Sequence, residues 1–169
     1  KLERADKTSR ILDVKYFMLL PSTRDVGTPY DDIHWSAVLK SVSGFEMYRK
    51  KYGRIAPRDV VDFLVMDREF PRSVHYCISQ AADSLHAITG TQRGSFRYRS
   101  EQLMGQLRSE LDFTSLDAII GQGIHEYLDS LQVQMNAIDA SVREDFVLRR
   151  PTPQQQQQRQ AASGNGYGR

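Results

Sequence analysis

At 169 residues, 40% of them hydrophobic, the chain suits one domain with a sizeable core. No run approaches the roughly eighteen apolar residues of a membrane span, which argues against a membrane-spanning class. The net charge of +2 sits in the last residues: apart from Arg149, Arg150, Arg159 and Arg169, 19 Lys and Arg face 21 Asp and Glu, a net of −2 that speaks against a broad nucleic-acid surface. The single cysteine, Cys77, forms no internal disulfide and offers no pair for a zinc site, so a reducing, cytoplasmic setting is expected. No basic segment followed by an apolar stretch marks a signal peptide. Residue 1 is a lysine rather than a start methionine.

In chain order, Leu2, Ala5, Ser9, Leu12, Tyr16 and Leu19 recur at spacings of three and four, the stripe of a helix ending near Pro21. The loop PSTRDVGTPYDD follows, and Ile33, Trp35, Ala37, Val38, Val42, Phe45 and Met47 resume the apolar pattern in a second helix that ends at Gly53. Pro57 and Pro71 are placed as first helical residues of a third and a fourth helix, the latter closed by Gly90. After a polar connection, Leu103, Leu107 and Leu111 mark a short fifth helix. Thr114 or Ser115 can cap a sixth and longest one, whose stripe runs from Leu116 through Ile119, Ile124, Tyr127, Leu131, Met135 and Ile138 to Phe146. No convincing strand-like alternation occurs. The fold class expected is all-α, a bundle of about six helices over residues 1–148. Residues 149–169, rich in Gln and Gly, lack an apolar period and read as a disordered tail.

At one hundred degrees per residue, Glu3, Asp6, Arg10 and Asp13 fall within an arc of about eighty degrees on the first helix, while Ile11, Val14 and Met18 form a second apolar flank. A helix apolar on two sides touches neighbours on both, so its charged stripe is a candidate for partial burial. The plainer alternative is a solvated face of intrahelical pairs, Asp6 with Arg10 and Arg10 with Asp13. Glu3 and Arg4 point about one hundred degrees apart and need separate partners. Together, Glu3, Arg4, Asp6, Arg10 and Asp13 form the candidate ligand or interface site.

Two further pairs deserve weighing as metal ligands: Asp31 with His34 and Asp83 with His86, each a carboxylate three residues before a histidine. Ferritin-like bundles use that spacing with Glu. Further carboxylates, such as Glu3, Asp6 or Glu126, would have to complete such a site. Against it, both pairs use the shorter Asp, and Asp31 lies where a helix cap is natural. Cys77 reads as a buried small hydrophobe, and Trp35, Tyr48 and Tyr52 as core rather than a ligand platform. The cations at 49–51 offset the dipole at the end of their helix. No phosphate-cradling loop of the G-x-x-x-x-G-K-[ST] type is present, and no nucleophile stands near a base in the sequence.

The stretches ERADKTSRILDV, HW followed by EMYRKKYG, FLVMDREFPRSVHYC and SLHAITG together resemble the alpha-E family, bacterial helical proteins named for a Glu-Arg motif. Glu3 and Arg4 match that motif, and the resemblance covers roughly residues 1–148. Family members are built from two similar halves. This chain resembles the C-terminal half, which implies an N-terminal half as its first partner and an apolar surface left open to self-association. The family's genomic company implies work beside ATP-grasp ligases and transglutaminase-like proteins, in peptide synthesis or modification. An adaptor or substrate-holding role is therefore expected. The alternative is a peptide-modifying enzyme acting on amides or carboxylates, with a dinuclear metal site as a variant. No cofactor is expected.

Overall fold

A computed structural model describes residues 1–18 and 29–148, with the backbone alone at 16–18 and 29–31. Every regular element among them is helical: α1 (Leu2–Met18), α2 (Pro29–Ser41), α3 (Phe45–Tyr52), α4 (Pro57–Val65), α5 (Val74–Thr89), α6 (Arg99–Phe113), α7 (Leu116–Gln122) and α8 (Ile124–Val142), then a π-helical turn, Arg143–Leu148. The all-α reading holds. The expected end of the first helix near Pro21 and the Gln/Gly-rich tail at 149–169 both lie outside the described residues.

Where the sequence suggests six helices, two of them are broken. The second divides into α2 and α3 at Ser43, which adopts a positive φ of 54°, and Gly44. A Cβ at residue 44 would lie 2.8 Å from the Phe70 ring and 3.0 Å from Phe63, so the chain turns where the aromatic layer leaves no room for a side chain. The sixth divides into α7 and α8 at Gly123, whose φ of 106° no L-residue adopts readily. Both breaks interrupt an apolar stripe that continues on either side. Pro71 is also not the first residue of its helix: Ser73 is the N-cap of α5, and its Oγ accepts from the Tyr76 N–H at 3.1 Å. Other signals act as read. Pro57 opens α4, Gly90 closes α5 in the left-handed conformation, and Ser115 caps α7 by accepting from the Ala118 N–H.

Four of the helices form a ring in which α1 packs on α5 and α8, and α6 packs on the same two. The polar links between neighbours give the directions. His75 meets Asp112 and Thr89 meets Glu101 across α5 and α6; Gln134 meets Glu110 across α8 and α6, while Asp145 reaches Ser100. Asp13 meets His125 across α1 and α8. Neighbours therefore run antiparallel around the ring. Its interior is filled by Leu12, Ile78, Leu107, Leu111, Leu128, Leu131 and Met135, all essentially without exposure. Each such side chain contributes about 1.5–3 kcal/mol by leaving water.

The segment from α2 to α4 packs against α1 and carries its own aromatic layer. Tyr48 stacks on Tyr52 at 4.9 Å, and Phe63 on Phe70 at 4.4 Å, with Tyr48 edge-on to Phe63. Tyr48 is buried, and its hydroxyl donates to the Arg54 carbonyl and accepts from the Ala56 N–H, both at 3.1 Å. Trp35 is buried as well, so these aromatics belong to the core as expected. Lys51 does more than offset a dipole: its Nζ reaches Asp67 Oδ2 at 2.6 Å. The other oxygen of Asp67 accepts from the N–H of Glu69 and of Phe70, and the Ser73 hydroxyl donates to the Asp67 carbonyl. Asp67 thus holds the bend that delivers Pro71 and Arg72 to the side of α1.

Candidate functional site

Helix α1 is the element on which the charged residues meet the rest of the fold. Ala5, Thr8, Ser9 and Leu12 are its buried stripe; the small residues there let neighbours approach closely. The polar residues beside the stripe then lie at the mouths of the grooves between helices. Two clefts result, one on each flank.

The first cleft, of about 430 Å³, lies between the opening turns of α1, the end of α2 and the bend before α5. Lys1, Arg4, Lys7 and Arg72 bring cations to it, with Glu3 at the rim. Glu3 pairs with Lys7 at 2.8 Å, and that ammonium, by hydrogen bond and charge, lowers the Glu3 carboxyl below its ordinary value. Arg4 donates through Nη1 to the Pro71 carbonyl at 3.3 Å, and the Thr8 hydroxyl donates to the Arg72 carbonyl at 2.8 Å. Glu3 and Arg4 thus have separate partners, as the helical wheel requires. Beneath them Cys77 is fully buried; its thiol donates to the same Pro71 carbonyl at 3.4 Å, and burial pushes its pKa up. It is a core group rather than a reactive thiol.

The second cleft, of about 330 Å³, separates α1 from the far end of α8 and is lined by Leu2, Glu3, Asp6, Met135, Asn136, Asp139 and Arg143. Asp6 accepts from Arg10 Nε at 2.9 Å through Oδ2, while its buried Oδ1 has no partner among the described residues. The expected Asp6–Arg10 pair is present, and hydrogen bonding to Asp6 raises the Arg10 pKa. The expected Arg10–Asp13 ion pair is replaced by one between helices: His125 Nδ1 donates to Asp13 Oδ1 at 2.6 Å. A half-buried carboxylate beside the α1–α8 seam finds a nearer donor across the seam than along its own helix. Val14, expected to pack, is largely exposed, and the Met18 side chain lies outside those described.

That contact makes a pH prediction. The hydrogen bond from His125 to Asp13, then their charge attraction, raises the His125 pKa above 6.5. The stabilising pair is complete below the unfolded value and is lost as pH rises through the higher folded one. NMR titration of the His125 ring is expected to give a midpoint above that of a model histidine, and Asp13→Asn to bring it down. An unchanged midpoint in the variant would remove Asp13 as the cause.

The Asp83 and His86 side chains are each engaged by other groups. Asp83 Oδ1 is engaged by Arg93 at 2.8 Å and Arg108 at 2.9 Å, and His86 Nδ1 donates to the Thr91 carbonyl at 3.2 Å. His34 is exposed on α2, and Asp31 belongs to the first turn of that helix, its side chain outside those described. Among the described residues no group of three His, Cys, Asp or Glu side chains is placed to hold an ion. The site residues that spacing missed are Lys1, Lys7, Arg72 and His125. Lys7, three residues after Arg4 on the same face, was the available signal; Arg72 and His125 arrive through the fold.

No described helix is long and apolar enough to cross a membrane. A family model, Alpha-E, described as a predicted alpha-helical domain with a conserved ER motif, matches residues 1–147. Neither the curated proteins nor the solved structures contain a match.

Proposed function

The chain belongs to the Alpha-E family, and from that premise we propose that it is a substrate-holding or adaptor subunit for a separate ATP-grasp peptide ligase. Peptide synthesis or modification is the process it would serve, with a transglutaminase-like protein as a further partner and a second, similar helical half completing the protein. One observation carries the reading. Glu3 borders both a cation-lined cleft and a carboxylate-lined one, a layout matched to the oppositely charged ends of a peptide. The two clefts are poorly equipped for covalent chemistry. Among the described residues that line them, the hydroxyls of Thr8 and Ser41 donate to the carbonyls of Arg72 and Ala37, and no histidine is placed to serve as their base.

The test uses the complete two-half protein with a ligase that co-purifies with it. Arg10→Lys keeps the charge and loses the planar fork, and Glu3→Gln removes the carboxylate that joins the clefts. Both are expected to leave the melting temperature nearly unchanged while abolishing stimulation of the ligase. Turnover of candidate peptides by the protein alone would favour the enzyme reading instead. If stability and stimulation fell together in both variants, the charges would be architectural.

A further inference from the structure

We infer that the cation-lined cleft is an oxyanion site, taking a carboxylate or phosphate group through Arg4, Arg72, Lys1 and Lys7. Its cations come from two segments far apart in sequence and converge on one space of about 430 Å³, within the size range of small-molecule sites. Their charge is incompletely matched. Lys7 is paired with Glu3, the one carboxylate at the rim among the described residues. Arg4 gives a single hydrogen bond, to the neutral Pro71 carbonyl, so most of the five donors of its guanidinium are uncommitted among the described residues. The Lys1 ammonium rests over the Tyr76 ring, 5.9 Å from its centre.

The backbone that carries these groups is fixed in advance. Arg4 and Thr8 tie α1 to the carbonyls of Pro71 and Arg72, and Ser73 is held to Asp67 while it caps α5. Binding therefore orders side chains but no loop, which lowers its entropic cost. The N-terminus of α5, starting at Val74, adds the positive end of a helix dipole beside Arg72. The field extends below the cleft floor: against the dominant effect of burial, Arg4, Lys1 and Arg72 each act to lower the Cys77 pKa.

The biological occupant rests on the substrate-holding reading: a peptide C-terminal carboxylate, or a phosphate group of a ligase reactant. Both present the oxygens that a guanidinium fork recognises. The experiment is an NMR titration of the ¹⁵N-labelled chain with inorganic phosphate, with N-acetyl-dialanine and with its C-terminal amide. Saturable shifts are expected in amides at 3–8, 41–42 and 72–74 with phosphate, the free acid or both, and none with the amide. Saturation by one anion alone identifies the source and supports the site equally. Arg72→Gln is expected to weaken binding about tenfold, as loss of a charge-assisted hydrogen bond would, and Arg4→Gln likewise. Arg49→Gln, on another face, serves as the unchanged control. Helical circular dichroism confirms that each variant is folded; should Arg4→Gln unfold, exposed Arg72 still decides the matter. Equal shifts at residues 49–51, binding of the amide, or undiminished affinity in folded Arg72→Gln would overturn the site. No ligase is present, so a failure here leaves the test of the substrate-holding role standing.

Discussion

Asp67→Ala is expected to lower the unfolding free energy by about 3 kcal/mol, measured by urea denaturation at neutral pH. A buried ion pair broken on one side costs about 3–5 kcal/mol, and the lower end applies because the Asp67 side chain is fully enclosed while Lys51 stays about half exposed. The change also strips the Glu69 and Phe70 N–H groups of their acceptor. Asp67→Asn keeps an acceptor oxygen and is expected to cost about 1 kcal/mol. The acid dependence follows from the same contacts. Burial pushes the Asp67 pKa up, but the Lys51 ammonium and the two backbone donors outweigh it and hold the carboxyl below its ordinary 3.8. Its stabilisation is therefore present above the unfolded value and is lost as pH falls through the lower folded one. The Asn variant should lose stability less steeply in acid. A wild-type urea midpoint for Asp67→Ala would mean that the bend carrying Arg72 is held by other contacts.

A loss of similar size, again about 3 kcal/mol, is expected for Glu101→Ala. Glu101 lies in the first turn of α6 and is almost fully buried. The Thr89 hydroxyl donates to one oxygen, and the N–H groups of Arg97 and Tyr98 donate to the other at 2.6 and 3.0 Å. Hydrogen bonds to a charged group contribute about 1.5–3 kcal/mol each, and they share the cost of burying one carboxylate. Burial alone would raise the pKa; the hydrogen bonds from Thr89, Arg97 and Tyr98 prevail and bring it down to about 2. Glu101 accordingly stabilises the fold above its unfolded value near 4.5 and ceases to do so as pH drops towards 2. Amide hydrogen exchange gives the local check: protection at Arg97 and Tyr98 should vanish in Glu101→Ala while the centre of α8 keeps most of its own. Retained protection at those two amides would exclude the carboxylate as their anchor.

Signals that depend on neighbours in sequence were legible, and those that depend on neighbours in space were not. Pro57, Gly90 and Ser115 act through their own backbone or the next turn, so their places in α4, α5 and α7 follow from residue type. Gly44 interrupts a helix because the rings of Phe63 and Phe70 arrive against it, and nothing beside it in the sequence announces them. Pro71 has the residue type of a first helical position. Asp67, drawn in by Lys51, closes a bend around it and leaves the cap to Ser73. Within the site, the separate partners of Glu3 and Arg4 were readable from a helical wheel. Asp13 with His125, and Arg72 beside Arg4, join residues that only the closed ring brings together.

That ring closes through positions far apart in the chain, and this has a consequence for biosynthesis. Asp13 and His125, which meet across the α1–α8 seam, are separated by 112 positions. At about 5–20 residues per second, roughly 5–20 s pass on the ribosome between the appearance of α1 and that of its partner. Throughout that interval α1 has α2, α4 and α5 to pack on but lacks its α8 neighbour, whereas α5 and α6, joined by a short connection, can pair at once. The helix bearing the Glu-Arg pair is thus the natural target of a chaperone during synthesis: its cation-lined flank is complete once Arg72 has emerged, whereas the cleft against α8 waits for the far end of the domain.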